Sequence, residues 1–211
     1  PDRVQVNNAF VGFLTHTGFA HVGNGYEAAA FLIEQFKDTS LKAADDKDHG
    51  LDLDAMALDY SKKYKDYKSE QKAMGNLEYA KVPCINHPIF KGKDINFDPR
   101  EEFVRKLFAE KGISNVFLDY YHSIVNSMFK AKVSKNVYCV NIDAVIAVIL
   151  LKMVWGEYKA GKMAERDIET SSFATFLFGR MIGCAAEIDD HTFRGKNMDT
   201  RTAASKCSFV G

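Results

Sequence analysis

The chain has little proline, a single tryptophan and no excess of charge of either sign. Only four of its 211 residues are proline, and none lies beyond Pro99, so only scattered glycines interrupt helices in the second half. Twenty-eight basic residues balance 28 acidic ones, and no stretch concentrates positive charge. Because nucleic-acid binding depends on a basic surface, we expect no nucleic acid as a main partner.

Paired cysteines and long hydrophobic runs are also missing. The four cysteines are widely spaced and form no C-x-x-C pair, which argues against a zinc ribbon or a small disulfide scaffold and suits the reduced cytoplasm. The longest apolar run begins at Ala144, is interrupted by Lys152, and is too short to span a bilayer. No signal peptide is visible. We therefore expect a cytoplasmic protein with no membrane association.

The composition is that of a packed domain. The chain is 46% apolar and 12% aromatic, which is ample for one core, so we predict one domain over residues 1–211. Since the sequence begins at Pro1 rather than methionine, we expect this domain to be part of a longer parent chain. Residues 38–72 are dense in Asp and Lys and predict a charged surface insertion, a loop that leads into an amphipathic helix. His49 in this loop has no second histidine at ligand spacing, and we expect no metal site.

Helical periodicity dominates the rest of the chain. Apolar residues recur at i, i+3, i+4 and i+7 in segment 29–36, and apolar residues at helical spacing also mark segments 103–108, 116–128, 144–155 and 173–182. Asp98-Pro99 predicts the start of the second helix, and Ser114 or Asn115 predicts the cap of the third. The fourth segment is apolar nearly all round, which predicts a helix that is buried on every side. Strand alternation is weak, with at most a short extended piece at 137–140, so we predict an all-α fold.

Two histidines stand in unusual backbone contexts. His21 precedes Gly23-Asn24-Gly25 and a predicted helix, whose N-terminus favours a neutral imidazole that can donate to a developing enolate oxygen. A capping or turn histidine is the alternative. His87 lies between Pro83 and Pro88, which stiffen the backbone around the ring.

The residues after His87 are basic. Lys91, Lys93 and Arg100 follow it closely and predict an anion-binding loop for phosphate or carboxylate. A surface turn with solvated lysines is the alternative.

Asp143 and Arg180 are charged residues in apolar surroundings. Asp143 precedes eight consecutive apolar residues, so its carboxylate is predicted to cap the helix or to act as a general base, and the two roles are compatible. Arg180 is flanked by Gly179 and Gly183, which would permit a ligand to approach closely. It is predicted to grip a carboxylate, or else to form an ion pair with Glu187 or a neighbouring helix.

In order, these fragments resemble motifs of the citrate synthase superfamily, in particular of the C-terminal citryl-CoA module of ATP-citrate lyases. Residues 21–27 are similar to the His-Gly-x-Ala-Asn-x-Glu stretch that opens a helix in that family. His87 with Asp98-Pro99-Arg100 resembles its Gly-x-Gly-His and Asp-Pro-Arg motifs, although neither glycine is present. Residues 141–143 resemble its Asn-Val-Asp segment, and residues 179–183 its Gly-Arg-x-x-Gly.

The resemblance implies the C-terminal half of an all-α citrate synthase-like domain that joins or cleaves acetyl-CoA and oxaloacetate through citryl-CoA. It implies catalytic roles for Asp143 as base and for His21 and His87 as hydrogen-bond donors. Arg100, Arg180 and, across a subunit interface, Arg201 would bind substrate carboxylates, and Lys91 and Lys93 the CoA phosphates. No metal is required. The implied assembly is a homodimer or homotetramer, with or without CoA-ligase-type subunits or domains.

A rival hypothesis is a catalytically silent oligomerisation or scaffold module that kept the fold. The missing glycines before His87, the replacement of a motif glycine by Val22 and the lack of the family's N-terminal half favour it. The direction of the reaction, synthase or lyase, and the acyl group stay open.

Overall fold

The described part of the chain is entirely helical apart from loops. A computed structural model describes residues 6–15, 17 and 24–194. Seven helices lie within these ranges: α1 (Val6–Thr15), α2 (Asn24–Phe36), α3 (Leu53–Ala73), α4 (Pro99–Glu110), α5 (Val116–Lys130), α6 (Ile142–Lys159) and α7 (Glu165–Arg194). No strand occurs within these ranges; the extended pieces form only two isolated bridges, Ile85 with Val140 and Ile95 with Val137. The predicted all-α class is confirmed for the described residues.

Local signals account for where several helices begin. Asn115 precedes α5 and its side chain accepts from the amides of Phe117 and Leu118, as an N-cap does. Asp98 caps α4 directly before Pro99, whose ring fits the first helical turn. Asp52 caps α3, the helix in the charged segment, by accepting from the amide of Ala55 at 2.9 Å.

Helix α6 is the centre of the packing. It contacts α2, α4, α5 and α7, while α3 packs along α5 and α2 also packs on α7. Trp155 of α6 is completely buried, and its indole Nε1 donates to the carbonyl of Leu41 at 2.9 Å. Its ring meets Phe117 edge-on at 5.0 Å, and Phe117 in turn meets Phe36 at 5.1 Å. This aromatic chain joins three helices into one core.

One expectation about α6 was wrong. Its apolar sequence predicts burial on every side, but Met153 is 74% exposed and Ile149 is 36% exposed. Their spacing of one helical turn places both on one face, and no described element covers that face. Phe178 and Ile182 of α7 are exposed in the same way. An apolar sequence therefore does not reveal which face of a helix lies outside the core.

The start of α2 packs tightly against α7. The sequence predicts a turn at residues 23–25, but α2 already begins at Asn24, so Gly25 is helical. Ser172 of α7 is completely buried and its Oγ donates to the Gly25 carbonyl at 2.9 Å. A Cβ at position 25 would lie only 3.0 Å from that Oγ. Glycine is thus required here by the close approach of two helices.

Within the residues that the structure describes, every helix is too short or too polar to cross a membrane.

Candidate functional site

The loop before His87 is held in an unusual backbone conformation. Cys84 and Asn86 have φ of 58° and 63°, in the left-handed region that glycine adopts easily and that costs other residues about 1–3 kcal/mol. Asn tolerates this region better than Cys does. Both residues lie just before His87, one and three positions away from it.

This loop pairs with the segment that leads into α6. The Asn86 amide donates to the Cys139 carbonyl at 2.8 Å, and the Asn141 amide donates to the Cys84 carbonyl at 3.0 Å, on either side of the bridge between Ile85 and Val140. The short extended piece predicted at 137–140 is therefore confirmed. These hydrogen bonds hold the loop with His87 against the N-terminus of α6, the helix with Asp143.

Asp143 is a nearly buried carboxylate with an unused oxygen. It lies in the first turn of α6, is 8% exposed, and its Oδ1 has no hydrogen-bond partner among the described residues. Burial raises the pKa of Asp143 above its ordinary value, and the positive charges of Arg100 and Arg180 partly oppose this. The capping role predicted for Asp143 was wrong, because Asn141 occupies the N-cap position.

Asp98 connects α4 to α6 beneath Arg100. It is completely buried, and one oxygen accepts from the amide and the Nε of Arg100, at 3.0 and 2.9 Å. Its other oxygen accepts from Nη2 of Arg100 at 2.6 Å and from the amide of Ile142 at 3.3 Å. One side chain therefore satisfies free amides at the starts of both helices, which places Arg100 close to Asp143.

Arg100 keeps its charge despite partial burial. Burial disfavours the guanidinium, but the hydrogen bonds and negative charge of Asp98 outweigh it, and with the charge of Asp143 they raise the pKa of Arg100. The bonds to Asp98 use Nε and one terminal nitrogen. The side chain is still 32% exposed. It can therefore meet a second carboxylate from the solvent side.

His87 is held as a neutral imidazole with a defined donor. Its Nδ1 accepts from the amide of Ile89 at 3.2 Å, and its ring stacks on Phe90 at 4.6 Å. Partial burial and then the charge of Arg100 lower the pKa of His87, against the opposing effect of Asp98. Since Nδ1 is an acceptor in the neutral ring, the proton lies on Nε2. An imidazole Nε2–H group of this kind is suited to hydrogen-bond a carbonyl oxygen.

The predicted basic residues have different environments. Lys91 and Lys93 are exposed and line a groove of about 440 Å³ together with Phe90 and Phe97. Lys93 Nζ lies 5.5 Å from the Phe97 ring centroid. These ammonium groups are accessible to an anionic ligand.

Arg180 lies on an exposed part of α7, with its guanidinium 5.4 Å from the Phe176 ring centroid. A Cβ at Gly179 or Gly183 would meet nothing within 4 Å among the described residues, so these glycines are not needed for helix packing. The side chain of Glu187, the predicted ion-pair partner, is not described. The positive charge of Arg180 acts to lower the pKa of Asp143, and its effect is smaller than that of Arg100.

A wide groove opens beside the N-termini of α2 and α6. It has a volume of about 930 Å³, and its polar lining includes Asn24, Glu27 and Asn141. The Asn141 Oδ1 is buried and has no hydrogen-bond partner in the described part of the chain. Partial burial raises the pKa of Glu27. His21 and Arg201 lie outside the described residues; His21 is three positions before Asn24 in the sequence.

Sequence reasoning missed several buried polar groups near Asp143. Tyr121 of α5 is completely buried, and its hydroxyl has no partner among the described residues. Burial raises the pKa of Tyr121, as do the negative charges of Cys84, Asp143 and Glu27 in their ionised forms. No local pattern distinguishes this tyrosine from Tyr120, its neighbour. Asp98 was recognisable as a helix cap, but its contact with α6 was not.

No group of three or more His, Cys, Asp or Glu side chains within the described ranges could hold a metal ion. Comparison of the chain with models of known protein families, with curated proteins and with solved structures gave no match in any of the three.

Proposed function

We propose that this chain is a citrate synthase-like domain that forms or cleaves the carbon–carbon bond between acetyl-CoA and oxaloacetate through citryl-CoA. The observation that carries the proposal is Asp143, a nearly buried carboxylate with a free oxygen and a raised pKa, flanked by arginine charge. Such a group is a stronger base than an exposed aspartate, which is what abstraction of a proton next to a thioester requires.

Asp143, His87 and His21 each have a step in the proposed reaction. In the forward direction Asp143 takes a proton from the acetyl methyl group, and the resulting enolate attacks the ketone carbon of oxaloacetate. His87 donates its Nε2–H hydrogen bond to the ketone oxygen as negative charge develops there. The resulting alkoxide takes up a proton from water to give the hydroxyl of citryl-CoA, and Asp143 returns its proton to water. Cleavage runs the same steps in reverse. His21 would stabilise the enolate oxygen, a role that rests on the resemblance alone.

The cationic groups are assigned to the substrates. Arg100 and Arg180 would bind the carboxylates of oxaloacetate or citrate, since both act on Asp143 electrostatically and Arg100 also acts on His87. Arg201 would add a contact from a second subunit. Lys91 and Lys93 would bind the phosphates of CoA beside the groove that they line.

The backbone of the histidine loop also supports the proposal. The family motif has glycines one and three positions before its histidine, and here Asn86 and Cys84 adopt the positive φ that those glycines allow. Positive φ at these two positions is compatible with a motif that has glycine there, although neither residue is glycine.

The test is turnover of acetyl-CoA with oxaloacetate, measured as consumption of oxaloacetate, and the reverse reaction, measured as formation of oxaloacetate from citryl-CoA. Asp143→Asn should lower kcat by about 10²–10⁴-fold, because the base is lost while the shape is kept. Binding of citrate should be retained. Asp66→Asn on the exposed side of α3 is the matched control and should turn over normally. Full activity of Asp143→Asn would refute the assignment.

A second candidate is the scaffold module, which the exposed apolar residues of α6 and α7 favour. These faces also fit the proposed homodimer or homotetramer, so oligomerisation alone does not separate the two. Ligand binding does: at a hundredfold excess over Kd, citrate, oxaloacetate or CoA should stabilise an enzyme by about 2.7 kcal/mol. No thermal shift with any of the three, together with no turnover, would favour the scaffold. The three described cysteines are free, which suits the proposed cytoplasmic location.

A further inference from the structure

Cys84 makes contacts that glycine at the same position could not make. Its Sγ donates to the carbonyl of Asn24, the first residue of α2, at 3.0 Å. Burial keeps this thiol protonated by raising the pKa of Cys84, with Asp143 and Glu27 adding to the effect. The thiol is therefore a lasting donor rather than a nucleophile.

The backbone of the same residue reaches the opposite helix. The Cys84 carbonyl accepts from the amide of Asn141, the residue that caps α6 two positions before Asp143. Cys84 thus bonds to the start of α2 through its side chain and to the start of α6 through its main chain. Cys84 makes both contacts from the loop that leads to His87.

The strained conformation of Cys84 follows from this geometry. At φ of 58° the residue turns its carbonyl toward Asn141 while its side chain points at α2. Glycine would adopt the same backbone without strain but has no side chain to donate. Cys84 therefore combines an unfavourable backbone conformation with a side-chain hydrogen bond to the start of α2.

We propose that Cys84 is a positioning residue that holds the starts of α2 and α6 at a fixed separation around the His87 loop. This inference rests on the proposed function for its catalytic consequence. Asp143 lies on α6 and His87 in the loop of Cys84, so one residue joins the segments of both proposed catalytic groups that the structure describes. Small displacements among such groups cost up to about 10²-fold in rate.

The experiment compares four variants of the chain. Cys84→Ala and Cys84→Gly both remove the donor, and Cys84→Gly also removes the backbone strain, so at least the glycine variant should fold. Cys84→Ser keeps a donor. Cys184→Ala on α7 is the matched control, because this cysteine also forms no disulfide and has no assigned part in the reaction.

Kinetics give the first readout. Cys84→Ala and Cys84→Gly should lower kcat about tenfold or more while KM changes less than about twofold, because positioning acts on the transition state. Cys84→Ser should recover most of the lost kcat, and Cys184→Ala should match the parent protein. If Cys84→Gly is as active as the parent, the thiol contact has no positioning role and the inference fails.

Hydrogen exchange gives a readout that does not depend on turnover. In Cys84→Gly, amides at both 24–28 and 141–145 should exchange faster, while those of α3 should be unchanged. Faster exchange confined to the loop at 82–88 would overturn the inference, even if the parent protein is active. If the parent protein shows no turnover, the proposed function fails, and exchange alone then decides whether Cys84 couples the helices.

Discussion

Replacing Asp98 should destabilise the fold far more than replacing an ordinary helix cap. Asp98 is completely buried and bonds to three groups: the amide and guanidinium of Arg100 and the amide of Ile142. Asp98→Ala would leave two helix starts without their side-chain acceptor and a half-buried cation without its anion. The perturbation therefore removes a cap, a charge-assisted contact and a link between α4 and α6 at once.

The expected loss of stability in Asp98→Ala is the sum of the lost cap and the lost ion pair. Loss of an N-cap costs about 1 kcal/mol. Breaking a buried ion pair costs about 3–5 kcal/mol, but Arg100 is 32% exposed and can be hydrated, so only about 2 kcal/mol of this should remain. The sum is about 3 kcal/mol. For a chain of this length that corresponds to a fall in Tm of roughly 6–12 °C.

Asp52→Ala is the matched control. Asp52 is also an N-cap aspartate that accepts one amide hydrogen bond, but it is exposed and forms no ion pair with an arginine of the described residues. Its replacement should cost only about 1 kcal/mol. Both variants are compared with the parent protein by urea denaturation and by thermal melting. Equal losses for Asp98→Ala and Asp52→Ala would refute the view that Asp98 joins the two helices.

Two further changes test the site and its packing. Because burial raises the pKa of Asp143 in the folded state, its ionisation costs stability: the cost grows as pH rises from the ordinary to the raised pKa and is fully present above the raised pKa. Asp143→Asn should therefore raise Tm at pH 7, and the gain should vanish on acidification below the ordinary pKa; a lower Tm at pH 7 would contradict this. Gly25→Ala should cost about 1 kcal/mol by urea denaturation, because the new Cβ would crowd Ser172. In a Ser172→Ala background the same change should be neutral or stabilising, and equal effects in both backgrounds would exclude the crowding.

Local patterns predicted most of the helices because the forces that form them are local. The apolar stripes at 29–36, 103–108 and 116–128 lie within α2, α4 and α5, and the caps Asp98 and Asn115 mark two of their starts. A cap acts on amides two or three residues away, so spacing along the chain suffices to find it. The all-α class followed from the same signals.

Contacts between distant segments were beyond the sequence. No spacing rule places Asp98 against Ile142, or Cys84 against Asn24, since each pair is brought together by helix packing. Positive φ at Cys84 was likewise unpredictable, because Cys rarely adopts that conformation. The exposed face of α6 could not be read either, since burial depends on which neighbours are present.

For the candidate site, the sequence by itself determined which ionisable residues the loops and helices carry, including His87 and Asp143. The tertiary structure decided their chemistry. Burial at the start of α6 gives Asp143 its raised pKa, and the fold brings Arg100 near both Asp143 and His87. Desolvation and charge proximity depend on distances through space, and these exist only once the chain has folded.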